Sequence, residues 1–190
     1  ANMGLFHVGV IKALFEQKLL PRVVSGSSAG SVVAAFLGTR KDSELDGLFT
    51  GEAMDLTLWR RLGLREVVRQ KSLMDGQEIE RFLRQHIGEL TFEEAFKRTG
   101  RIINITVSPV DKHQKPRLLN YLTAPHVLVW SAVLASCAVP GLFPPVTLMS
   151  KDRLGHEKPY LASTRWVDGA IQSDLPAQRL AELYNVNHHI

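Results

Sequence analysis

The hydrophobic positions of the first forty residues predict a helix, a short strand and a second helix. Residues 5–17 carry apolar side chains at positions 5, 6, 10, 11, 14 and 15, which is the spacing of one helix face. Residues 22–25 contain two successive valines and are typical of a short buried strand. Residues 29–37 are small and apolar and favour a helix. The segment 22–37 therefore predicts a strand, a tight turn and a helix.

The rest of the chain continues this alternation of helices and strands. A helix is predicted at 76–87, with Asp75 as its N-cap, and a second helix is predicted to start from a capping box at 91–94. Two further helices are predicted at 127–139 and 176–184. Strands or extended segments are predicted at 101–110, 117–122, 144–148, 164–167 and 187–190, and residues 151–163 are interpreted as a polar surface loop. Alternating strands and helices indicate one α/β domain over residues 1–190, with helices on both faces of a sheet.

Composition narrows the class of protein. The 190 residues are 45% hydrophobic and 22% charged, as in ordinary globular domains, and the net charge of +4 is too modest to predict a nucleic-acid partner. The apolar run 127–139 is too short for a bilayer, which takes about 20 residues. The single cysteine, Cys137, excludes an internal disulfide and fits an intracellular protein. No Cys/His cluster has the spacing of metal ligands, so neither a metal nor a cofactor is expected.

The predicted turn has the pattern G-x-S-x-G, formed by Gly26, Ser28 and Gly30. A serine on a strand-to-helix turn stands in a strained backbone conformation, and its neighbours two residues away must be small because strand and helix converge there. The free N–H groups at the start of the helix favour negative charge beside that serine. Ser28 is thus a candidate nucleophile. The alternative interpretation is a Gly/Ser loop in which Ser27 or Ser28 only caps the helix.

A nucleophilic serine needs a base, and the sequence offers two kinds. The first is a histidine: in an α/β-hydrolase the histidine follows the serine, so His188 or His189 would complete a triad. The second is an aspartate before a glycine. Of these, Asp46 falls in a helical pattern and Asp75 caps a helix, whereas Asp168 ends an apolar strand. Catalytic groups of α/β sheets stand beyond the carboxyl ends of strands, which favours Asp168.

Longer segments carry a resemblance to a known family. GSSAG is followed 140 residues later (168 − 28) by DGA, within VDGAIQSDLP. Between them the chain contains RTGRIINITVSP and PRLLNYLTAPHVLVWSAVLASCAVPGLFPPV, with GLFHVGVIKAL near its start and NVNHHI at its end. In these segments the chain resembles the patatin-like phospholipases, and in particular the branch that contains intracellular triacylglycerol lipases.

The resemblance implies a patatin-like three-layer α/β/α sandwich with a mostly parallel central sheet. It implies Ser28 as nucleophile and Asp168 as base, in a Ser–Asp dyad without histidine. The family's oxyanion donors come from a glycine-rich turn. Here Gly4 matches the last glycine of that turn, while Met3 replaces its basic residue. The chain is therefore expected to be a catalytic domain excised from a longer polypeptide, with its first and last strands truncated.

The function implied is a lipid acyl hydrolase, a triacylglycerol lipase or phospholipase that cleaves carboxylic esters through an acyl-serine. Two alternatives remain open: a catalytically silent lipid-binding domain, and a His-dependent esterase. The segment 59–71 places five basic residues and one acid among large apolar ones, a pattern of helices that lie on anionic lipid; an ordinary helix packed on the core is the other interpretation. A lipid ester is thus the expected substrate, and a membrane or lipid-droplet surface the expected peripheral location.

Overall fold

The computed structural model describes residues 2–49, 76–111, 113–169 and 176–190. The predicted amphipathic segment 59–71 and the predicted N-cap Asp75 lie outside these residues. No helix in the described ranges combines the length and the apolar character needed to cross a bilayer.

Helices and strands alternate along the chain, so the predicted α/β class is confirmed. The helices are α1 (Asn2–Glu16), α2 (Ala29–Thr39), α3 (Asp42–Phe49), α4 (Gly76–Ile87), α5 (Phe92–Thr99), α6 (Val129–Ser136) and α7 (Ala177–Tyr184). The strands are β1 (Val23–Gly26), β2 (Ile102–Pro109), β3 (Arg117–Leu119), β4 (Met149–Lys151), β5 (Glu157–Pro159) and β6 (Trp166–Asp168).

The main sheet is mixed and is built around β2. Strand β1 is parallel to β2, whereas β3 and β6 are antiparallel to it. Strand β2 is buried along nearly its whole length, as expected of a strand with neighbours on both edges. Strands β4 and β5 form a separate antiparallel hairpin.

Helices α2 and α6 form the centre of the hydrophobic core. Both are apolar on all sides and almost completely buried, which is the pattern of a helix enclosed by other elements. Helix α2 packs on β1 and β2, and α6 packs on β2, β6 and α4. Trp130 of α6 and Trp166 of β6 are among the largest fully buried side chains. This packing holds the two helices rigidly beside the ends of β1 and β6.

Most predicted elements are present, and three predictions are wrong. Residues 144–148 form no strand and make only an isolated bridge between Val146 and Trp166. Residues 187–190 are also not a strand. Residues 151–163 are not a simple loop, because they contain β5 and the last residue of β4. The capping box is confirmed: the Thr91 hydroxyl accepts a bond from the backbone N–H of Glu94, whose carboxylate accepts one from the backbone N–H of Thr91.

Candidate active site

Ser28 lies in a strained turn between β1 and α2. Its backbone has φ 50° and ψ −127°, a combination that costs a non-glycine residue about 1–3 kcal/mol. Such a conformation persists only where the surrounding structure holds it. Ser28 occupies the N-cap position of α2, yet its side chain makes no capping hydrogen bond. The capping interpretation of Ser28 is therefore unsupported, and the predicted strained elbow is present.

The glycines on either side of Ser28 have different roles. A Cβ atom at Gly26 would lie 2.2 Å from the carbonyl oxygen of Gly30 and 2.6 Å from the backbone nitrogen of Ser31. Strand and helix thus converge at Gly26, as the sequence predicts. A Cβ at Gly30 would meet no atom of the described residues within 4 Å. A residue without a side chain is therefore required at position 26. Gly30 contributes only its backbone to this contact.

The strand pairing brings the turn and Asp168 to one edge of β2. Ile105 pairs with Gly26 on one edge and with Leu119 of β3 on the other. Val107 also pairs with β3, so its second partner, Asp168, must lie on the edge occupied by β1. Strands β1 and β6 therefore run toward each other along the same edge. The last residue of β1 and the last residue of β6 pair with two residues of β2 that are two positions apart. That is a separation of about 7 Å along the strand.

Asp168 is buried at this junction, with 3% of its surface exposed. Its backbone N–H donates to the carbonyl of Ala138 at 3.0 Å. The following residue, Gly169, approaches β2 closely: a Cβ there would lie 2.4 Å from the carbonyl oxygen of Thr106. The glycine of the Asp-Gly pair is thus required by contact with the sheet. It is not explained by a left-handed turn, since Gly169 is not among the positive-φ glycines.

The backbone of Ser28 is held by side chains from outside the turn. Its N–H donates to the hydroxyl of Ser136 at 3.0 Å. Its carbonyl accepts bonds from the Ser31 hydroxyl at 2.6 Å and from the Ser31 N–H at 2.9 Å. The Cys137 thiol also donates to this carbonyl, at 3.4 Å. Ser31 therefore serves the turn as a structural residue.

Cys137 is bonded to Ser28, and the next residue in the chain, Ala138, is bonded to Asp168. Burial raises the pKa of its thiol to about 12, the hydrogen bond with Ser31 opposes the rise, and the negative charge of Asp168 adds to it. The residue as a whole keeps some solvent contact. A thiol that stays protonated is a poor nucleophile. Cys137 therefore bonds to Ser28 and lies near enough to Asp168 for that charge to act on its thiol.

The other candidates lie elsewhere or remain predictions. Gly4 falls in the first turn of α1, where backbone N–H groups have no acceptor within the helix; its part in an oxyanion hole stays a prediction. His188 and His189 are exposed in the segment after α7. Asp46 lies within α3. Within the described ranges, no group of three or more His, Cys, Asp or Glu side chains is arranged to hold a metal ion.

Sequence reasoning missed the part that residues 136–138 take in the site. Residue 136 supplies the hydroxyl that holds Ser28, and residue 138 supplies the carbonyl that holds Asp168. One signal was available: a serine and a cysteine stand at the end of a mostly apolar helix, with a proline three residues after the cysteine. Small polar residues in a buried helix need a partner, and their partner here is the backbone of Ser28.

Comparison with known proteins identifies the family of the chain. The family model of the patatin-like phospholipases matches residues 1–181. Over its whole length the chain is similar to three lipases: it is 45% identical to triacylglycerol lipase SDP1L of Arabidopsis thaliana, 44% to triacylglycerol lipase 4 of Saccharomyces cerevisiae and 38% to triacylglycerol lipase ptl2 of Schizosaccharomyces pombe. The chain spans only 26%, 22% and 31% of these relatives.

Proposed function

The chain belongs to the patatin-like phospholipase family, and we propose that it is a lipid acyl hydrolase in which Ser28 and Asp168 form a catalytic dyad. The observation that carries the proposal is the meeting of a strained serine turn and a buried aspartate along one edge of β2. The relatives named triacylglycerol lipase support a substrate with a carboxylic ester of a fatty acid.

The mechanism follows from these two groups. The Ser28 hydroxyl attacks the ester carbonyl and its proton passes to the Asp168 carboxylate. The tetrahedral intermediate collapses, the C–O bond to the alcohol breaks, and Asp168 returns the proton to the departing oxygen. Water then attacks the acyl-serine with Asp168 as base, releasing the fatty acid and restoring Ser28.

Electrostatic stabilisation must carry much of the rate, because a carboxylate is a weak base for an alcohol. General-base help is worth about 10²–10⁴-fold, and the loss of one oxyanion donor typically costs about 2.7–4 kcal/mol. Two sources of stabilisation support the proposal. The start of α2, directly after Ser28, supplies the positive end of a helix dipole. Backbone N–H groups around Gly4 are the donors that the family resemblance implies.

The direct test is product analysis with the full-length protein on triacylglycerol and phospholipid substrates. We expect fatty-acid release by wild type, none by Ser28→Ala, and a fall of about 10²–10⁴-fold in Asp168→Asn. Ser25→Ala is the matched control, because Ser25 is an exposed serine on β1, and it should keep full activity. Fatty-acid release by Ser28→Ala at the wild-type rate would overturn the proposal.

The two alternatives give different results in the same assay. A silent lipid-binding domain would sediment with liposomes but release no fatty acid in wild type. A His-dependent esterase would lose its activity in the double variant His188→Ala, His189→Ala, which the Ser–Asp mechanism leaves active. The exposed position of both histidines favours the Ser–Asp mechanism.

We also propose that the enzyme works inside the cell, bound peripherally to a membrane or lipid droplet. The support is the basic amphipathic pattern of residues 59–71 and the lipase names of the relatives. Liposome sedimentation tests it: neutralising Arg60, Arg61 and Arg65 should release the protein from anionic vesicles. Unchanged sedimentation of that variant would rule out docking through this segment.

A further inference from the structure

We propose that Ser136 is a positioning residue for the nucleophile, and that residues 136–138 act as a strut that fixes Ser28 relative to Asp168. The inference rests on the proposed function, because it concerns the reaction at Ser28. It goes further by assigning a role in catalysis to a helix end that binds the backbones of Ser28 and Asp168.

The Ser136 hydroxyl forms two hydrogen bonds to backbone groups. Its hydroxyl accepts the backbone N–H of Ser28 at 3.0 Å and donates to the carbonyl of Thr106 at 2.9 Å. Ser136 is fully buried, so water does not compete for these bonds. One hydroxyl thus links the nucleophile turn to the central strand β2, with both of its hydrogen-bonding roles used.

Residues 136–138 bind both Ser28 and Asp168 through successive positions of the chain. After Ser136, the Cys137 thiol donates to the carbonyl of Ser28, and the carbonyl of Ala138 accepts the N–H of Asp168 at 3.0 Å. Three consecutive residues therefore bind the backbone of the nucleophile on both sides and the backbone of the proposed base. A shift of the strut would change the distance between the two.

The backbone of Ser28 is strained. The backbone at φ 50° and ψ −127° is unfavourable for serine and relaxes unless it is held. The N–H of a residue that precedes a helix has no acceptor within that helix. Ser136 supplies this acceptor from another element, so it holds the strained conformation directly. Without it, the Ser28 hydroxyl would lose its fixed direction toward the ester.

The chain offers a matched control in the same helix. Ser131 is also fully buried, its hydroxyl donates to the carbonyl of Leu128 at 2.8 Å, and it accepts the N–H of Met149 at 3.0 Å. Like Ser136, it accepts one backbone N–H and donates to backbone carbonyls, including that of Met149 at 3.3 Å, but its bonds hold β4 instead of Ser28. Ser131→Ala and Ser136→Ala therefore remove the same chemistry from the same helix, and only Ser136→Ala releases Ser28.

The experiment compares the two variants in the full-length protein. Ser136→Ala should lower kcat for ester hydrolysis by about 10²-fold, as expected when a reacting group is misplaced by about 1 Å, with KM near the wild-type value. Ser131→Ala should lose similar thermal stability and keep kcat. In addition, hydrogen exchange at the Ser28 amide should be faster in Ser136→Ala and unchanged in Ser131→Ala.

The outcomes separate the positioning role from the proposed function. If wild type hydrolyses esters and the two variants have equal kcat, Ser136 is merely structural and the inference is wrong. If wild type and Ser28→Ala are equally active, the proposed function fails, and the catalytic role of Ser136 fails with it. A kcat loss confined to Ser136→Ala, together with faster Ser28 amide exchange, supports the inference.

Discussion

Gly26 and Asp168 lie end to end along the same edge of β2, opposite Ile105 and Val107. One ends a parallel strand and the other ends an antiparallel strand, so the chain leaves both strands at one point of the sheet. Ser28 follows Gly26 by two residues, and Asp168 is itself the last residue of its strand. This arrangement brings the turn that carries Ser28, the candidate nucleophile, close to Asp168, the candidate base.

The first prediction concerns the glycines of the turn. Gly26→Ala should destabilise the fold by about 1–3 kcal/mol, because the new methyl group would overlap the backbone of Gly30 and force strand and helix apart. Gly30→Ala meets no described atom and should cost less. Thermal unfolding and fatty-acid release of both variants give the comparison. Equal losses in the two variants would contradict the steric account.

The second prediction concerns the glycine after the proposed base. Gly169→Ala would place a methyl group against the Thr106 carbonyl and displace Asp168, so hydrolysis should fall by about 10²-fold. Gly9→Ala is the control, because it lies in α1 with open space around it among the described residues and should stabilise the helix by about 0.5–1 kcal/mol. Wild-type turnover in Gly169→Ala would show that the close contact has no part in catalysis.

The third prediction concerns pH. The pKa of the Cys137 thiol is about 12 in the folded protein and about 8.5 in an unfolded chain. Because the folded state binds this proton more tightly, its stabilising contribution is complete below about pH 8.5 and is lost as the pH rises toward 12. The unfolding free energies of wild type and Cys137→Ala, from urea titrations, should therefore converge between pH 8 and pH 10.5. If the difference between the two unfolding free energies stays constant with pH, the pKa of the thiol is not raised in the folded protein.

The fourth prediction concerns the capping box of α5. Thr91→Ala removes the acceptor for the Glu94 N–H and should lower the free energy of unfolding by about 1 kcal/mol. Thr91→Ser keeps the hydroxyl and should retain most of the stability. Neither variant should change the rate of ester hydrolysis per folded molecule. A large activity loss in Thr91→Ser would mean that this helix start bears on the site.

The parts of the fold that the sequence predicts well are those encoded locally. The strained turn follows from the small residues around Ser28, and the α5 capping box follows from Thr91 and Glu94. In both cases the residues that make the structure are within a few positions of one another. The prediction of Asp168 as base combined a strand pattern with the family resemblance, and the catalytic role stays a prediction.

The parts that were missed depend on contacts between distant residues. The β4–β5 hairpin has no alternating apolar pattern. Its tip is closed by Asp152, which accepts the N–H groups of Leu154 and His156 at 2.8 and 2.9 Å, and its edge is held by the ion pair between Glu157 and Arg84 at 2.6 Å. The link from Ser136 to Ser28 spans 108 residues. The Asp152 bonds are local, but no local pattern encodes the pairing of Arg84 with Glu157 or of Ser136 with Ser28.

The most direct test of the account is to trap the acyl-enzyme. A slowly hydrolysed fatty-acid ester is mixed with excess full-length protein and quenched with acid, and the digested peptides are analysed by mass spectrometry. The account predicts one acyl group on Ser28, formed about 10²–10⁴-fold more slowly in Asp168→Asn. An acyl group on another residue, or acylation of Ser28 at an unchanged rate in Asp168→Asn, would contradict it.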